Sequence, residues 1–212
     1  MAVLLRDGGF DSTAFYPTFA AASLDLVGAE RIGVDMPIGL VDAGLRDADL
    51  AAKRAAGRAS SSVFLTPPRP VLMAPSYPEA NAVSRLLAGQ GLTRQAWGLR
   101  EKILELDALQ PLGDAVVEVH PEVTFRALAR RDLPSKRTWE GLMERIALLR
   151  DVGVELPTRL AGGDRAHPDD VVDAAAVAWV AAGCDGGDVF HLPERPRQLD
   201  SGRPILIWGR SR

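Results

Sequence analysis

The pattern of apolar and polar positions predicts short strands that alternate with amphipathic helices. An apolar run from Ile32 to Asp35 has the length of a strand and is ended by Pro37, so the Asp35 carboxylate stands at the carboxyl end of that strand. A second short run rich in valine predicts a strand over 115–119, because β-branched residues favour strands. The chain begins on a predicted hairpin, in which residues 2–5 are followed by an Asp-Gly-Gly turn.

Helical spacing of apolar positions predicts the remaining elements. The clearest case is the helix that follows Thr138, a residue suited to capping a helix. Its apolar positions are Trp139, Leu142, Met143, Ile146 and Leu149. Further helices are predicted over 19–27, 45–56, 77–88, 93–106, 121–130 and 168–183, with a loop at 162–163 and a last strand at 203–208.

Strands and helices that alternate after an initial hairpin predict an α/β fold, with a mixed sheet flanked by helices on both faces. The 212 residues are enough for a substantial core, and neither an internal repeat nor a linker divides them. We therefore expect a single domain over residues 1–212.

Charge and cysteine content narrow the class of protein. The 25 basic and 28 acidic residues give a net charge of −3, which lacks the electrostatic footprint of a tight nucleic-acid binder. Cys184 is the only cysteine, which excludes disulfides and favours a reducing compartment. The N-terminus does not have the pattern of a signal peptide, and the longest apolar run, 174–184, is shorter than the ~20 residues of a membrane span. We expect a cytoplasmic protein with no membrane association.

Acidic residues at three places in the chain predict a metal site. Asp35 ends the first of the two apolar strands, Glu118 lies in the second, and Asp170 and Asp173 share a face at the start of an Ala-rich helix. In open α/β sheets, ligands bind at the carboxyl ends of the strands. Oxygen ligands with the imidazole of His120 nearby suit Mg²⁺ or Mn²⁺, so the cluster indicates phosphoryl chemistry.

Structural interpretations compete with this hypothesis. Carboxylates in the first turn of a helix, such as Asp169 and Asp170, are stabilised by the helix dipole without any metal. That explanation does not extend to Asp173, which precedes a run that must be buried and therefore needs a partner or a metal. His120 is as well explained by a structural role, and Arg54 by a solvated helix face.

These motifs resemble those of the family called domain of unknown function 429, generally described as predicted RNase-H-like nucleases. The matching stretches are 33–40, 95–97, 118–125, 135–136 and 169–174, together with the 46–57 helix and residues 61–64 after it. The Asp170 and Asp173 pair also resembles the Asp-x-x-Asp-Ala pattern that heads the metal-binding helix of Holliday-junction resolvases.

The resemblance implies an RNase-H-like fold and a metal-dependent nuclease that hydrolyses phosphodiesters, with a branched or structured nucleic acid as partner. Asp35, Glu118, Asp170 and Asp173 would then hold Mg²⁺ or Mn²⁺, and these four with Lys102 and His120 are the candidate catalytic residues. Arg54 and Lys136 are the candidate substrate-binding residues. Two alternatives stay open: a non-catalytic partner-binding protein of the same fold, and a nucleotide-binding phosphotransferase relative, which lacks the support of a Gly-rich phosphate loop.

The resemblance also implies a first central strand ending in Gly-x-Asp, which this chain lacks. We therefore expect that the natural reading frame begins upstream of Met1. For the structure, we expect either a strand-wide gap beside Ile32–Asp35 or direct pairing of Ala2–Leu5 with that strand. We also expect Ile32–Asp35 and Ala115–Val119 to be neighbouring strands of one sheet, with the 168–183 helix packed so that Asp173 approaches Asp35.

Overall fold

The computed structural model describes residues 1–109, 113–161 and 165–212, and the predicted loop at 162–163 lies outside them. The fold is α/β. The strands are β1 (Ala2–Arg6), β2 (Gly9–Ala14), β3 (Ile32–Val34), β4 (Val116–Glu118), β5 (Val189–Leu192), β6 (Leu199–Asp200), β7 (Arg203–Pro204) and β8 (Ile207–Arg210). The helices are α1 (Phe19–Asp25), α2 (Asp47–Ala55), α3 (Arg69–Leu72), α4 (Tyr77–Ala88), α5 (Arg94–Gly98), α6 (Arg100–Ala108), α7 (Pro121–Ala129), α8 (Trp139–Asp151) and α9 (Pro168–Ala182), with a 3₁₀ helix at Gly57–Ser62.

The strands pair two by two. β3 and β4 are neighbours, as predicted, and they run parallel, with Val34 opposite Glu118. β1 pairs with β2, β5 with β8 and β6 with β7, each antiparallel. A single parallel bridge from Val119 to Trp208 connects β4 to β8. The described strands therefore form small ladders of mixed direction. The last strand, predicted over 203–208, is split between β7 and β8, which belong to two different antiparallel pairs.

Arg203 and Pro204 lie beside β4, where the described residues of the C-terminal strands form a single backbone bridge with it. Proline has no backbone N–H to donate to a ladder, so it interrupts strand pairing. The Arg203 guanidinium instead donates a hydrogen bond to the Val116 carbonyl. This side-chain hydrogen bond is a second link between β4 and the C-terminal strands.

The main core lies between α9, α7, α8 and the strands. Its buried members include Val117, Phe125, Leu149 and the apolar face of α9. β1 also packs against α9, as does β3. Within the described residues β1 pairs with β2 alone and β3 with β4 alone, so the direct pairing of 2–5 with 32–35 that we considered does not form.

None of the helices in the described part of the chain is both long enough and apolar enough to cross a membrane.

Candidate functional site

Close packing of β3 on α9 brings Asp35 to the start of that helix. A Cβ atom built on Gly33 would lie 2.7 Å from both the Cγ1 atom and the carbonyl oxygen of Val177, so only glycine allows this approach. Asp35 follows two residues later, at the end of the strand. The contact between strand and helix therefore sets where the Asp35 carboxylate lies relative to α9.

Asp173 lies in α9 and is buried, with 8 % of its surface exposed. Its Oδ2 atom accepts a hydrogen bond from the ammonium group of Lys136, which comes from the loop between α7 and α8. The Nζ atom of Lys136 is also 3.9 Å from Asp169, one helical turn earlier. The other oxygen of Asp173, Oδ1, is buried and has no hydrogen-bond partner among the described residues. A buried carboxylate oxygen left in this way is suited to a further ligand.

Glu122 and Arg145 fix the surroundings of this pair. Glu122, in the first turn of α7, forms a buried ion pair of 2.8 Å with Arg145 of α8. Arg145 also donates hydrogen bonds to the carbonyl oxygens of Pro134 (2.9 Å) and Gly141 (2.8 Å). The loop that carries Lys136 is thereby attached to the start of α8. Glu122 belongs to the 118–125 stretch that the sequence singles out, but its spacing in the chain provides no signal of Arg145 as its partner.

The charges of the cluster are coupled. Desolvation raises the pKa of Asp173 to about 6, the hydrogen bond from Lys136 opposes this, and the charges of Asp35 and Glu122 add to it. Asp35 keeps an exposed surface although protein atoms surround its carboxyl group. This desolvation raises its pKa to about 6, with Lys136 opposing and Glu122 adding. The neighbouring carboxylates thus favour any cation that enters the cluster.

In this cluster Lys136 is charged and His120 is neutral. Partial burial disfavours the Lys136 ammonium, but the hydrogen bond and the charge of Asp173 outweigh it, so the net effect raises the lysine pKa. Burial lowers the pKa of His120, against the effect of Glu122. The Nδ1 atom of His120 is buried without a hydrogen-bond partner in the part of the chain that is described. His120 is therefore neutral near pH 7, beside a charged lysine.

Glu118 does not join this cluster. Because Val34 lies opposite Glu118 in the parallel ladder, these two side chains share one face of the sheet, and Asp35, the next residue, projects to the other face. Glu118 instead forms a 2.5 Å ion pair with the fully buried Arg46 and accepts a 2.7 Å hydrogen bond from the Ile38 amide. Burial raises its pKa to about 7, while Arg46 opposes the shift.

Three other predicted site residues, Asp170, Lys102 and Arg54, are exposed rather than buried with Asp173. Asp170 is exposed, and Asp169 is the acidic residue that approaches Lys136. Lys102 is exposed on α6, and Arg54 is exposed in the last turn of α2. The structure therefore brings together Asp35, His120, Lys136 and Asp173, and adds Asp169 and Glu122 to them.

The donor set determines what kind of cation fits. No group of three or more His, Cys, Asp or Glu side chains is arranged to hold a metal ion within residues 1–109, 113–161 and 165–212. Two carboxylates, Asp35 and Asp173, remain available at the cluster. Mg²⁺ is commonly bound through one or two carboxylates together with waters and substrate phosphates, so this pair fits one such ion better than an enclosed all-protein site.

The chain belongs to a family described as "Protein of unknown function (DUF429)", whose model matches residues 1–198. No curated protein and no solved structure matches the chain.

The raised pKa of Asp173 makes a testable statement about stability. A carboxyl group whose folded-state pKa lies above its unfolded value stabilises the fold below the unfolded pKa, here 3.8, and this contribution is lost as pH rises through about 6. Asparagine does not ionise, so Asp173→Asn avoids this loss of stability at high pH, although it leaves Lys136 without its partner. We expect the variant to be more stable than the wild type by roughly 1–2 kcal/mol at pH 8, with the difference shrinking towards pH 4.

Urea unfolding at both pH values measures this effect. Asp170→Asn is the matched control, because Asp170 is exposed in the first turn of the same helix. Its loss is expected to lower stability by about 0.3–1 kcal/mol, the opposite sign, through the helix dipole. If Asp173→Asn is less stable than the wild type at pH 8, the pair with Lys136 is net stabilising and the argument from desolvation is wrong.

Proposed function

We propose that this protein is a metal-dependent nuclease with an RNase-H-like arrangement, whose site is formed by Asp35, Asp173 and Lys136. The observation that carries the proposal is the buried Asp173 carboxylate, which is paired with Lys136 and lies on α9, the helix against which the strand that precedes Asp35 packs. The raised pKa values of Asp35 and Asp173, each about 6, agree with this arrangement. Perturbed groups gathered in this way are typical of functional sites and are costly for stability alone. The hairpin, the parallel pair and the covering helix α9 support the RNase-H-like part of the proposal.

Asp35 and Asp173 would hold one Mg²⁺ or Mn²⁺. Their mutual repulsion, increased by Glu122, favours a cation between them, and the unpartnered Oδ1 atom of Asp173 offers a ligand oxygen. When bound, such an ion supplies Lewis-acid polarisation of a phosphodiester and neutralises its charge. The proposal places one ion on Asp35 and Asp173, because Glu118 is paired with Arg46, and the exposed Asp170 is not the acidic residue that approaches Lys136.

Lys136 and His120 would act on the substrate side. Lys136 is half-buried and lies near two acidic side chains. Its ammonium group could exchange the hydrogen bond to Asp173 for one to a phosphate oxygen of the substrate. This contact would orient the phosphate for in-line attack. His120 is held neutral, and its buried Nδ1 atom, which has no partner among the described residues, would accept a proton once substrate and water are brought within hydrogen-bond distance of it.

One observation favours a second candidate, a non-catalytic binding protein. Lys136 already neutralises Asp173, and three metal ligands do not converge in the described part of the chain. A lysine in this position stabilises an acidic pair without any metal. The cluster would then be a structural remnant, and the surface around it would serve binding alone.

Incubation of the complete protein with nucleic acids decides between the two. We expect cleavage of at least one among single-stranded, duplex and branched DNA and RNA in Mg²⁺ or Mn²⁺, and none in EDTA. Substrates with unpaired and paired segments should be compared at equal length. A protein that binds these molecules but leaves all of them intact in either metal would be the binding protein of the second candidate.

A further inference from the structure

Trp139 is exposed although its position in the sequence predicts burial. It begins α8 and continues the apolar stripe of Leu142 and Ile146, both of which pack against the main core. Yet 77 % of its surface is accessible. The other large apolar side chains that are exposed in the described residues are aliphatic or methionine, whereas Trp139 is aromatic. An exposed indole has a flat face that is free to receive a ligand.

The turn before α8 ties Trp139 to the site. The Thr138 amide donates a 2.9 Å hydrogen bond to the Ser135 carbonyl, and the Thr138 hydroxyl accepts one of 3.1 Å from the Gly141 amide. Lys136 lies inside this closed turn and contacts Asp173. Three residues of chain span at most about 11 Å, so the Trp139 backbone lies within that distance of Lys136.

The direction of the stripe places the indole at the border of the site. Leu142 and Ile146 join the core cluster that contains α9, so their face of α8 is the one directed towards α9. Trp139 shares that face but lies one turn earlier, where the core has ended. At this end of α8, Lys136 crosses to the first turns of α9. Trp139 therefore lies at the end of α8 that is nearest to Lys136.

The segment that carries Trp139 has the charge of a phosphate-binding surface. Residues 130–137 contain four basic side chains and one acidic one, although the whole chain has a net charge of −3. Two of the four are paired with carboxylates, Arg131 with Glu144 and Lys136 with Asp173. Arg137 is exposed between Lys136 and Trp139. A positive segment next to an exposed aromatic ring is the combination that binds single-stranded nucleic acid, in which phosphates contact cations and bases stack on rings.

We propose that Trp139 is a stacking platform for an unpaired nucleobase, and that the substrate is a nucleic acid with a single-stranded segment entering at Lys136. This inference rests on the proposed function, because it assigns a substrate class to the same site. A paired base in a duplex has both faces covered by its neighbours and cannot reach the ring. Unpaired nucleotides in a single strand, a loop or a branch can.

Binding measured without metal tests the stacking separately from cleavage. Fluorescence anisotropy of a labelled single-stranded oligonucleotide and of its duplex is recorded in EDTA, for the wild type, Trp139→Ala and Trp139→Phe. We expect the alanine variant to bind the single strand roughly 5- to 150-fold more weakly, and the phenylalanine variant to recover part of the affinity. Duplex binding should change little.

Leu86→Ala is the matched control, because Leu86 is 82 % exposed on α4 and is not part of the site. It should leave the affinity for both oligonucleotides unchanged. Trp139→Ala should melt within a few degrees of the wild type, since little of the ring is buried.

The outcomes separate this inference from the nuclease proposal. Trp139-dependent binding without cleavage in Mg²⁺ or Mn²⁺ supports the stacking platform and contradicts the nuclease. Cleavage with the same affinity for single strands in Trp139→Ala contradicts the platform and leaves the nuclease standing. Self-association that Trp139→Ala abolishes, with oligonucleotide binding unchanged, would show that the ring contacts a second copy of the chain instead.

Discussion

Asp35→Asn is expected to reduce Mg²⁺- or Mn²⁺-dependent cleavage by more than about 100-fold. Loss of an outer partner of a metal ligand already costs about 10- to 100-fold, and removal of the ligand charge itself should cost more. The variant should remain folded, because Asp35 has an exposed surface and an amide is close to the carboxyl group in size. Initial rates at saturating metal measure the effect, and circular dichroism confirms the fold.

Asp170→Asn provides the internal comparison for this experiment. It changes the same chemical group in the first turn of α9, but Asp170 is exposed and Lys136 approaches Asp169 and Asp173 instead. We expect cleavage within about twofold of the wild type, whereas Asp173→Asn should match Asp35→Asn. A large loss of activity in Asp170→Asn would restore the Asp170 and Asp173 pair that the sequence predicts as metal ligands.

Arg46→Met is expected to lower the free energy of unfolding by about 3–5 kcal/mol. Arg46 is fully buried and pairs at once with Asp49 (3.0 Å) and Glu118 (2.5 Å). Its Nη1 atom also donates a 3.0 Å hydrogen bond to the Thr66 hydroxyl. Methionine fills similar volume but leaves Asp49 and the ionised fraction of Glu118 buried without a cation, which is among the most costly single changes in a core. Chemical denaturation at pH 7 measures the loss.

Arg54→Met is the matched control, because Arg54 is exposed in the last turn of the helix that Arg46 precedes. It should change stability by about 0.5 kcal/mol or less. The double variant Arg46→Met, Glu118→Gln should regain part of the lost stability, since the amide carries no charge to leave unpaired. Equal effects of the two arginine substitutions would show that the buried network contributes nothing to the fold.

Much of the framework around the site follows from local sequence pattern. The strand before Asp35 and the valine-rich strand at 116–118 both form where short apolar runs are followed by a proline. They are adjacent in the fold, as predicted. The helix from Pro168 was predicted from its apolar run, and Asp173 was singled out because a charge in a buried helix needs a partner. That partner is Lys136, which the sequence suggested only as a substrate ligand.

The remaining features depend on long-range contacts that spacing does not reveal. Glu118 faces away from Asp35 because of the ladder register, and its partner Arg46 is 72 residues away in the chain. The two helices at 94–98 and 100–108 were predicted as one, although the backbone breaks at Leu99. Trp139 fits the helical period but lies beyond the end of the core. Periodicity describes a face of a helix, but not where its neighbours stop.

Calorimetric titration of Mn²⁺ into the complete protein tests the central claim most directly, with Asp173→Asn as comparison. Near pH 6 the two carboxyl groups, each with a pKa of about 6, are half protonated. Metal binding must therefore release about one proton at pH 6 and almost none at pH 8, as read from buffers of different ionisation enthalpy. We predict this release in the wild type, with at least about tenfold weaker binding in Asp173→Asn. Absence of Mn²⁺ binding, or binding that is unchanged by Asp173→Asn, would contradict a metal site formed by Asp35 and Asp173.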